Sequence, residues 1–274
     1  MRYQYTLGCL IFLILVSGCT SIRDQGLVVA LQADPPTVFS RSTTLLHIDI
    51  DNRNQKSMTN VQVDLFDTGL LSTPGNFGPE KCSKYFGRLL PYEFQSITCL
   101  LYAPQTNATV QTQVNALVNF DSKLEATQIF EVVSEQEYQN RVTSGHYDTR
   151  PSNYIYGDKN VMIKVDFNEP LPLVIRPDKK YFVYFTVTNV GDGFIQFIQP
   201  DDLVLWPVRG DLPVIVKCPE RQALAPVGKQ FPRIACELDL PPGFAASGFF
   251  NADFIISLNY RYEIRSSLDI SIIK

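Results

Sequence analysis

The sequence is poor in the side chains and motifs on which most catalytic sites depend. It has two histidines, His47 and His146, and one tryptophan in 274 residues. No G-x-S-x-G motif accompanies either histidine, and no glycine-rich phosphate loop stands between a strand and a helix. Nor does a basic patch indicate nucleic acid, since 24 basic residues face 28 acidic ones. We therefore predict that the protein is not an enzyme, uses no cofactor and does not bind nucleic acid.

Metal-binding patterns are also missing. The six cysteines include no C-x2-C pair of the kind that holds structural zinc. Asp49 and Asp51 resemble the start of a calcium loop. Counted from Asp49, however, the fifth and twelfth positions are Arg53 and Asn60, where an EF-hand needs an oxygen ligand and a glutamate. The sequence predicts no metal site.

What the chain does have begins at its N-terminus. After Arg2, residues 7–16 form an apolar run of ten residues, shorter than the ~20 of a membrane-spanning helix and typical of a secretory signal. The run ends in VSGC (16–19), which resembles a prokaryotic lipobox. We predict that residues 1–18 are a signal peptide and that a lipid on Cys19 anchors the chain to the extracytoplasmic face of an envelope membrane. Simple secretion and an uncleaved anchor are the alternatives.

Four cysteines remain after the proposed lipid site: Cys82, Cys99, Cys218 and Cys236. An exported chain meets an oxidising compartment, so an even number of cysteines indicates disulfides, with three possible connectivities. The separations of 17 and 18 residues favour the pairs Cys82–Cys99 and Cys218–Cys236. Each bond would contribute about 3 kcal/mol in the chain-entropy model. A zinc site is the rival interpretation.

Similar features recur at a nearly constant offset along the chain. The offsets are 137, 137 and 140 residues, for the pairs Asn52 and Asn189, Cys99 and Cys236, Asn119 and Asn259. Such an offset predicts two copies of one module. We place them at residues 25–134 and 158–274, joined by a linker at 135–157. Its beginning, with Ser134, is expected to form a short helix, and the rest is expected to be linker or edge structure.

Short alternating segments separated by turn residues predict strands. In the first module they are 27–32, 44–51, 60–66, 92–102, 111–120 and 124–133. In the second they are 160–166, 171–175, 181–189, 193–198, 213–218, 232–239, 252–263 and 267–273. The expected fold is all-β, with two tandem immunoglobulin-like β-sandwich domains after the N-terminal segment. Trp206 is expected in a core near the disulfide.

The segment FTVTNVGDG (185–193) resembles the hairpin of CARDB-type modules, which are immunoglobulin-like cell-surface domains common in archaeal exported proteins. Its asparagine and glycines suit the left-handed positions of such a turn. The resemblance implies an adhesive or structural role at a cell surface and no reaction.

Two loops rich in glycine, proline and aromatic residues are candidates for recognition. They are 71–79, with Phe77, and 241–250, with Phe244 and Phe249. Sandwich loops commonly present binding surfaces. The alternative is that these rings fold back onto the sandwich ends. Asn107 begins an N-A-T sequon and is a possible glycosylation site in an exported chain.

The function expected from these features is that of a membrane-anchored cell-surface structural or interaction protein, adhesion-like and without catalytic activity. Its partner would be another envelope protein, a glycan or a second copy of itself. One alternative is a subunit of a surface filament or layer that assembles through edge strands near residues 268–273. The other is an exported carbohydrate-binding or hydrolase-accessory module.

Overall fold

The protein is all-β, as its alternating sequence predicts. A computed structural model describes residues 26–73, 82–176, 178–207, 215–219, 222–240 and 248–274. No helix within these ranges is both long and apolar enough to cross a membrane. The elements are β1 (Leu27–Asp34), β2 (Thr37–Phe39), β3 (Thr43–Asn52), β4 (Met58–Asp67), β5 (Lys84–Leu89), β6 (Phe94–Tyr102), β7 (Val110–Ser134), α1 (Glu135–Thr143), β8 (Asn153–Gly157), β9 (Val161–Phe167), β10 (Leu173–Ile175), β11 (Tyr181–Asn189), β12 (Leu203–Pro207), β13 (Ile215–Lys217), β14 (Ile234–Asp239) and β15 (Phe249–Ile273).

These strands form three sheets. A three-stranded sheet has the order β1-β3-β6, and a five-stranded sheet has the order β13-β14-β11-β9-β8. The largest sheet has the order β12-β15-β7-β4-β5, and β2 and β10 add in parallel to the C-terminal ends of β15 and β7. β7 and β15 are therefore neighbours at the centre of one continuous sheet.

The centre of the largest sheet is an unusually long ribbon. β7 and β15 have 25 residues each and pair antiparallel from Val110–Ile272 to Val133–Phe249. At about 3.3 Å per residue the ribbon is about 80 Å long. Along most of both strands the even-numbered side chains are buried and the odd-numbered ones face outward. This alternation fixes which face of the sheet meets the core.

Both smaller sheets pack on the even-numbered face of the ribbon. At one end Ser266 Oγ donates to the carbonyl of Val29 in β1, at 3.5 Å. Towards the other end the ring centroids of Phe130 and Phe167 lie 5.0 Å apart. We call the part under the three-stranded sheet half A (β1–β6, residues 110–120 and 262–273) and the part under the five-stranded sheet half B (β8–β14, residues 124–134 and 249–258). Each half is a sandwich that contains strand residues from both of the modules predicted at 25–134 and 158–274.

Aromatic side chains fill the junction between the halves. Phe120, Tyr260 and Tyr262 are buried, and the rings of Phe120 and Tyr262 have centroids 5.6 Å apart. The Tyr260 hydroxyl donates to the Asp158 carboxylate at 2.7 Å and accepts from the Asn160 amide at 3.3 Å. Burial raises the pKa of Tyr260 above its ordinary value. Because its polar groups are paired, this junction holds the two halves rigidly.

Two buried asparagines organise turns in the same way in each repeat. The Asn52 amide donates to the carbonyl four residues later at 3.1 Å, and its Oδ1 accepts the backbone N–H two residues later at 3.1 Å. Asn189 makes the same two bonds at 2.6 and 3.2 Å. A local hydrogen-bond pattern thus recurs at the offset of 137 residues found in the sequence. The division into two tandem domains stays a prediction.

The turn after Asn189 is packed tightly against Tyr262. The Tyr262 hydroxyl accepts the backbone N–H of Gly193 at 2.9 Å and donates to Asn189 Oδ1 at 3.0 Å. Burial raises the pKa of Tyr262 to about 12. A Cβ atom at Gly193 would lie 2.2 Å from the carbonyl oxygen of Glu263, so only glycine fits here.

The segment predicted to be a helix followed by linker or edge structure contains both a helix and an edge strand. A helix does begin where expected, because Ser134 caps α1 by accepting the N–H of Glu137 at 3.1 Å. The last residues of the predicted linker, however, form β8, which pairs with β9 at the edge of the five-stranded sheet. Polar side chains on an edge strand resemble a linker in sequence because one of its faces meets solvent.

Three strand predictions also need correction. Segments 111–120 and 124–133 are one strand, as are 252–263 and 267–273. Segment 193–198 is not a strand, although Phe194 forms an isolated bridge with Glu263. The C-terminal residues expected at an exposed edge are covered in part, since Ser271 and Ile272 pair with β7 on one side and β2 on the other.

Candidate functional site

A groove crosses the outward face of the ribbon where the sheet passes from half A to half B. Two adjoining cavities of about 580 and 310 Å³ share Phe197 and Arg261 in their walls. Much of the floor consists of outward, odd-numbered side chains: Leu117, Asn119, Asp121 and Lys123 of β7, with Asn259, Arg261 and Glu263 of β15. We call this feature the ribbon groove.

Neighbouring segments form the sides of the ribbon groove. On the β7 side lie Ser57 and Thr59, and Thr59 is paired with Asp121 across β4 and β7. On the β15 side the chain from 194 to 202 runs along the strand, held where Phe194 bridges Glu263 and where the Asp202 carbonyl accepts the N–H of Asn259 at 2.8 Å. The groove therefore has a rigid sheet as its floor and backbone-anchored sides.

The centre of the ribbon groove is an ion pair. Asp121 and Arg261 face each other across β7 and β15, and Arg261 Nη1 lies 3.5 Å from Asp121 Oδ1. The other oxygen of Asp121 accepts from the Asn60 amide at 2.7 Å. Both ionic side chains are partly exposed, so we assign the pair a positioning role and little stabilisation.

Two further charged side chains of the ribbon groove are also held in ion pairs. Glu263 is held by Arg265 at 2.7 Å, and its second oxygen accepts from the Gln196 amide at 3.2 Å. Lys123 pairs with Glu125 at 2.5 Å. The groove therefore offers directional hydrogen bonds without a strong field of one sign.

Polar and aromatic groups of the ribbon groove face solvent. Phe194 and Phe197 are 53% and 49% exposed. Within the described ranges, the side-chain amides of Asn119, Asn259 and Gln199 make no hydrogen bond to protein. Exposed rings beside unused donors and acceptors are the features of a recognition surface.

Of the three aromatic residues predicted from loops, the structure describes Phe249, which lies away from the ribbon groove. Phe249 is 56% exposed at the far end of the ribbon, and the Arg141 guanidinium lies 5.0 Å from its ring centroid. Phe77, Phe244 and Cys19 lie outside the described residues. Asn107 is exposed in the bend between β6 and β7, and its glycosylation stays a prediction.

The prediction for Trp206 is wrong. The side chain is 40% exposed on β12, an edge strand of the largest sheet. It pairs with Ile255, one of the odd-numbered positions of β15, and therefore sits at a position of the outward face. The apolar neighbours Leu203 and Leu205 indicated a core position for Trp206. The register of β12 on β15 places its side chain on the outward face instead.

One of the two predicted disulfides is present. Cys218 and Cys236 are bonded, at a sequence separation of 18. The predicted Cys82–Cys99 bond is wrong for this structure, where both residues are buried free thiols. The two residues predicted as partners are nevertheless neighbours, and their side chains share a hydrogen bond. This bond lowers the pKa of Cys82 and, together with burial, raises the pKa of Cys99. Proximity alone does not form a bond, which also requires oxidation of both thiols.

We expect Cys82 and Cys99 to be recovered as thiols. The purified protein is unfolded without reductant and alkylated with one reagent, then reduced and alkylated with a second, and its peptides are weighed. Cys82 and Cys99 should carry the first label, and Cys218 and Cys236 the second, because only the latter pair is bonded. The second label on all four would show two disulfides instead.

The residues of the ribbon groove were not recognised as a site in the sequence. Phe194, Gln196 and Phe197 belong to the segment 193–198, for which the sequence predicts a strand. A signal was nevertheless present, since the match of residues 118–120 with 258–260 placed Asn119 and Asn259 at equivalent positions. Period-two alternation then puts both side chains on the same outward face.

Comparison with known proteins finds no relative, since no family model matches the chain and no curated protein matches it either. Among the described residues, no group of three or more His, Cys, Asp or Glu side chains is placed to hold a metal ion. The resemblance to CARDB-type modules remains a hypothesis that rests on residues 185–193.

Proposed function

We propose that the protein is an interaction protein of the cell envelope, without catalytic activity, held on the extracytoplasmic face of a membrane by a lipid on Cys19. The ribbon of β7 and β15 carries this proposal. It joins both halves into one stiff arm and keeps the ribbon groove on a face that neither smaller sheet covers.

Stiffness is what a protein that presents a binding site away from a membrane requires. Domains joined by a flexible linker move relative to each other unless a large apolar interface holds them. Here two continuous strands pass through both halves, and a single cluster of buried side chains extends across them. A ligand bound in the ribbon groove would therefore keep a fixed position relative to Gly26, where the described chain begins beside Asn160 at the junction of the two halves.

The Cys218–Cys236 disulfide supports the proposed location. Disulfides persist in oxidising compartments and are rare in the cytosol. An exported chain would meet such a compartment, and the apolar run at residues 7–16 supplies a plausible export signal.

Replacement of the proposed lipid site is the decisive experiment. In the Cys19→Ser variant we expect the protein to leave the membrane fraction, because no thiol remains to carry the lipid. The wild-type protein from host membranes should lack residues 1–18 and carry a lipid mass on Cys19, measured by intact mass spectrometry.

The matched control is Cys9→Ser, which changes a cysteine inside the predicted signal peptide. This variant should stay in the membrane fraction with the wild-type mass. Wild-type protein that retains Met1 and has no lipid would contradict the proposal, as would a Cys19→Ser protein that partitions like the wild type.

A second candidate, an exported carbohydrate-binding module, is favoured by one observation. The ribbon groove places exposed aromatic rings next to side-chain amides and carboxylates. Such a module is compatible with membrane anchoring and gives the interaction protein a specific class of partner.

A further inference from the structure

We infer that the ribbon groove binds a neutral polysaccharide chain that lies along β7 and β15. This inference rests on the proposed function and specifies its ligand. It is carried by three properties of the groove: the chemistry of its exposed groups, the balance of its charges and its length.

The exposed groups match the two surfaces of a sugar ring. A pyranose has faces of C–H groups and a rim of hydroxyls. Phe194 and Phe197, each about half exposed, offer flat apolar rings for the faces. The amides of Asn119, Asn259 and Gln199, which have no protein partner among the described residues, offer both donors and acceptors for hydroxyls.

The charge balance favours a neutral ligand. Asp121, Asp202 and Glu263 supply three negative charges to the lining, and Lys123 and Arg261 supply two positive ones. The adjoining ion-pair partners Arg265 and Glu125 add one charge of each sign, so the groove has no excess of cations. An anionic polymer such as a nucleic acid or a sulfated glycan requires an excess of cations along its path. Ion pairs instead hold these side chains at fixed positions, where their remaining lone pairs and N–H groups can meet hydroxyls.

The length of the ribbon groove indicates a chain of linked sugars. Its floor extends from Leu117 to Lys123 on β7, a distance of about 20 Å at the rise of an extended strand. Asn119 and Asn259 lie two positions on either side of the central Asp121–Arg261 pair, so their amides are about 13 Å apart along the ribbon. Two equivalent amides at that separation would contact different rings of one extended oligosaccharide.

The test is a binding titration of the full-length protein, solubilised in a detergent without a sugar headgroup. The probes are cellohexaose, mannohexaose, maltohexaose and chitohexaose, with heparin as the anionic comparison, and the readout is isothermal titration calorimetry. We expect at least one neutral hexasaccharide to bind and heparin not to bind. The dissociation constant should rise about tenfold or more in Phe197→Ala and in the Asn119→Ala/Asn259→Ala double variant.

Phe66→Ala is the matched control, because Phe66 is exposed on β4 of the same sheet, outside the groove, and its loss should leave the affinity unchanged. Hydrogen exchange of the bound protein should slow at residues 194–199 and 259–263. The inference is overturned if none of the four hexasaccharides binds, if only heparin binds, or if Phe197→Ala binds as tightly as Phe66→Ala.

The outcome is independent of the anchoring experiment. A lipid on Cys19 with no sugar binding would remove the inference and leave the membrane-anchored interaction protein. Sugar binding by a protein without the lipid would keep the groove and remove the anchored location.

Discussion

Replacing Ile270 and Ile272 with aspartate is expected to unfold half A, although both residues belong to β15, the last strand of the second predicted module. Their side chains are fully buried, and Ile272 pairs with Val38 of β2. Burial of an unpaired carboxylate costs several kcal/mol. Two such charges exceed what a fold with a typical stability of about 5–15 kcal/mol can tolerate.

The measurement is native-state hydrogen exchange, followed separately in the two smaller sheets. We expect the amides of β3 and β6 in half A to lose protection to a greater extent than those of β9 and β11 in half B. The control places two aspartates on the outward side of the same strand, as Ser267→Asp/Ser271→Asp, and should change the stability by about 1 kcal/mol or less. Full protection of β3 and β6 in the Ile270→Asp/Ile272→Asp protein would show that β15 does not complete half A.

The second large effect is expected from Gly193→Ala. A methyl group there would meet the Glu263 carbonyl oxygen at 2.2 Å and the Tyr262 ring at 2.5 Å. Since backbone atoms on both sides must move, the turn loses the hydrogen bond to the Tyr262 hydroxyl, and the bridge from Phe194 to Glu263 is displaced. We expect the free energy of unfolding in urea to fall by about 3 kcal/mol or more.

Gly87→Ala is the control for this substitution. Gly87 lies in β5, and a Cβ atom there meets no atom within 4 Å. Alanine should therefore be neutral or should stabilise the protein by up to about 1 kcal/mol, because glycine loses more backbone entropy on folding. An equal loss of stability in the two variants would show that the close contacts at Gly193 are not the reason why alanine is unfavourable there.

The local elements of the fold could be predicted because alternation is a local signal. β3 and β11 were placed to within one residue because their apolar residues recur with period two and a buried asparagine ends each strand. The Ser134 cap likewise located α1. In each case the residues that determine the element are close together in the sequence.

The ribbon could not be predicted in the same way. The sequence prediction divides each long strand, at 121–123 and at 264–266, because Asp121, Ser122, Arg265 and Ser266 interrupt the apolar alternation there. In the structure these residues stay extended, because β7 and β15 supply hydrogen-bond partners to each other across the whole length. Pairs such as Val110 with Ile272 are separated by most of the chain, and no local pattern records them.

The ribbon groove was missed for the same physical reason. Its floor comes from two strands that are far apart in sequence, and its sides from β4 and from the irregular segment at 194–202. Interpretation of single loops led instead to Phe77, Phe244 and Phe249. The sequence did indicate that Asn119 and Asn259 are equivalent. That these residues share one surface follows only from the pairing of β7 with β15.

The shared ribbon also sets the order in which a newly made chain can mature. Half A contains both β1, near the start of the described chain, and Ile270 and Ile272 of β15, which lie far later in the sequence. Until β15 has emerged, β7 has no partner along one entire edge, so neither sandwich can close before then. Closure of both sandwiches therefore waits for β15, an order of assembly that would suit the export proposed above.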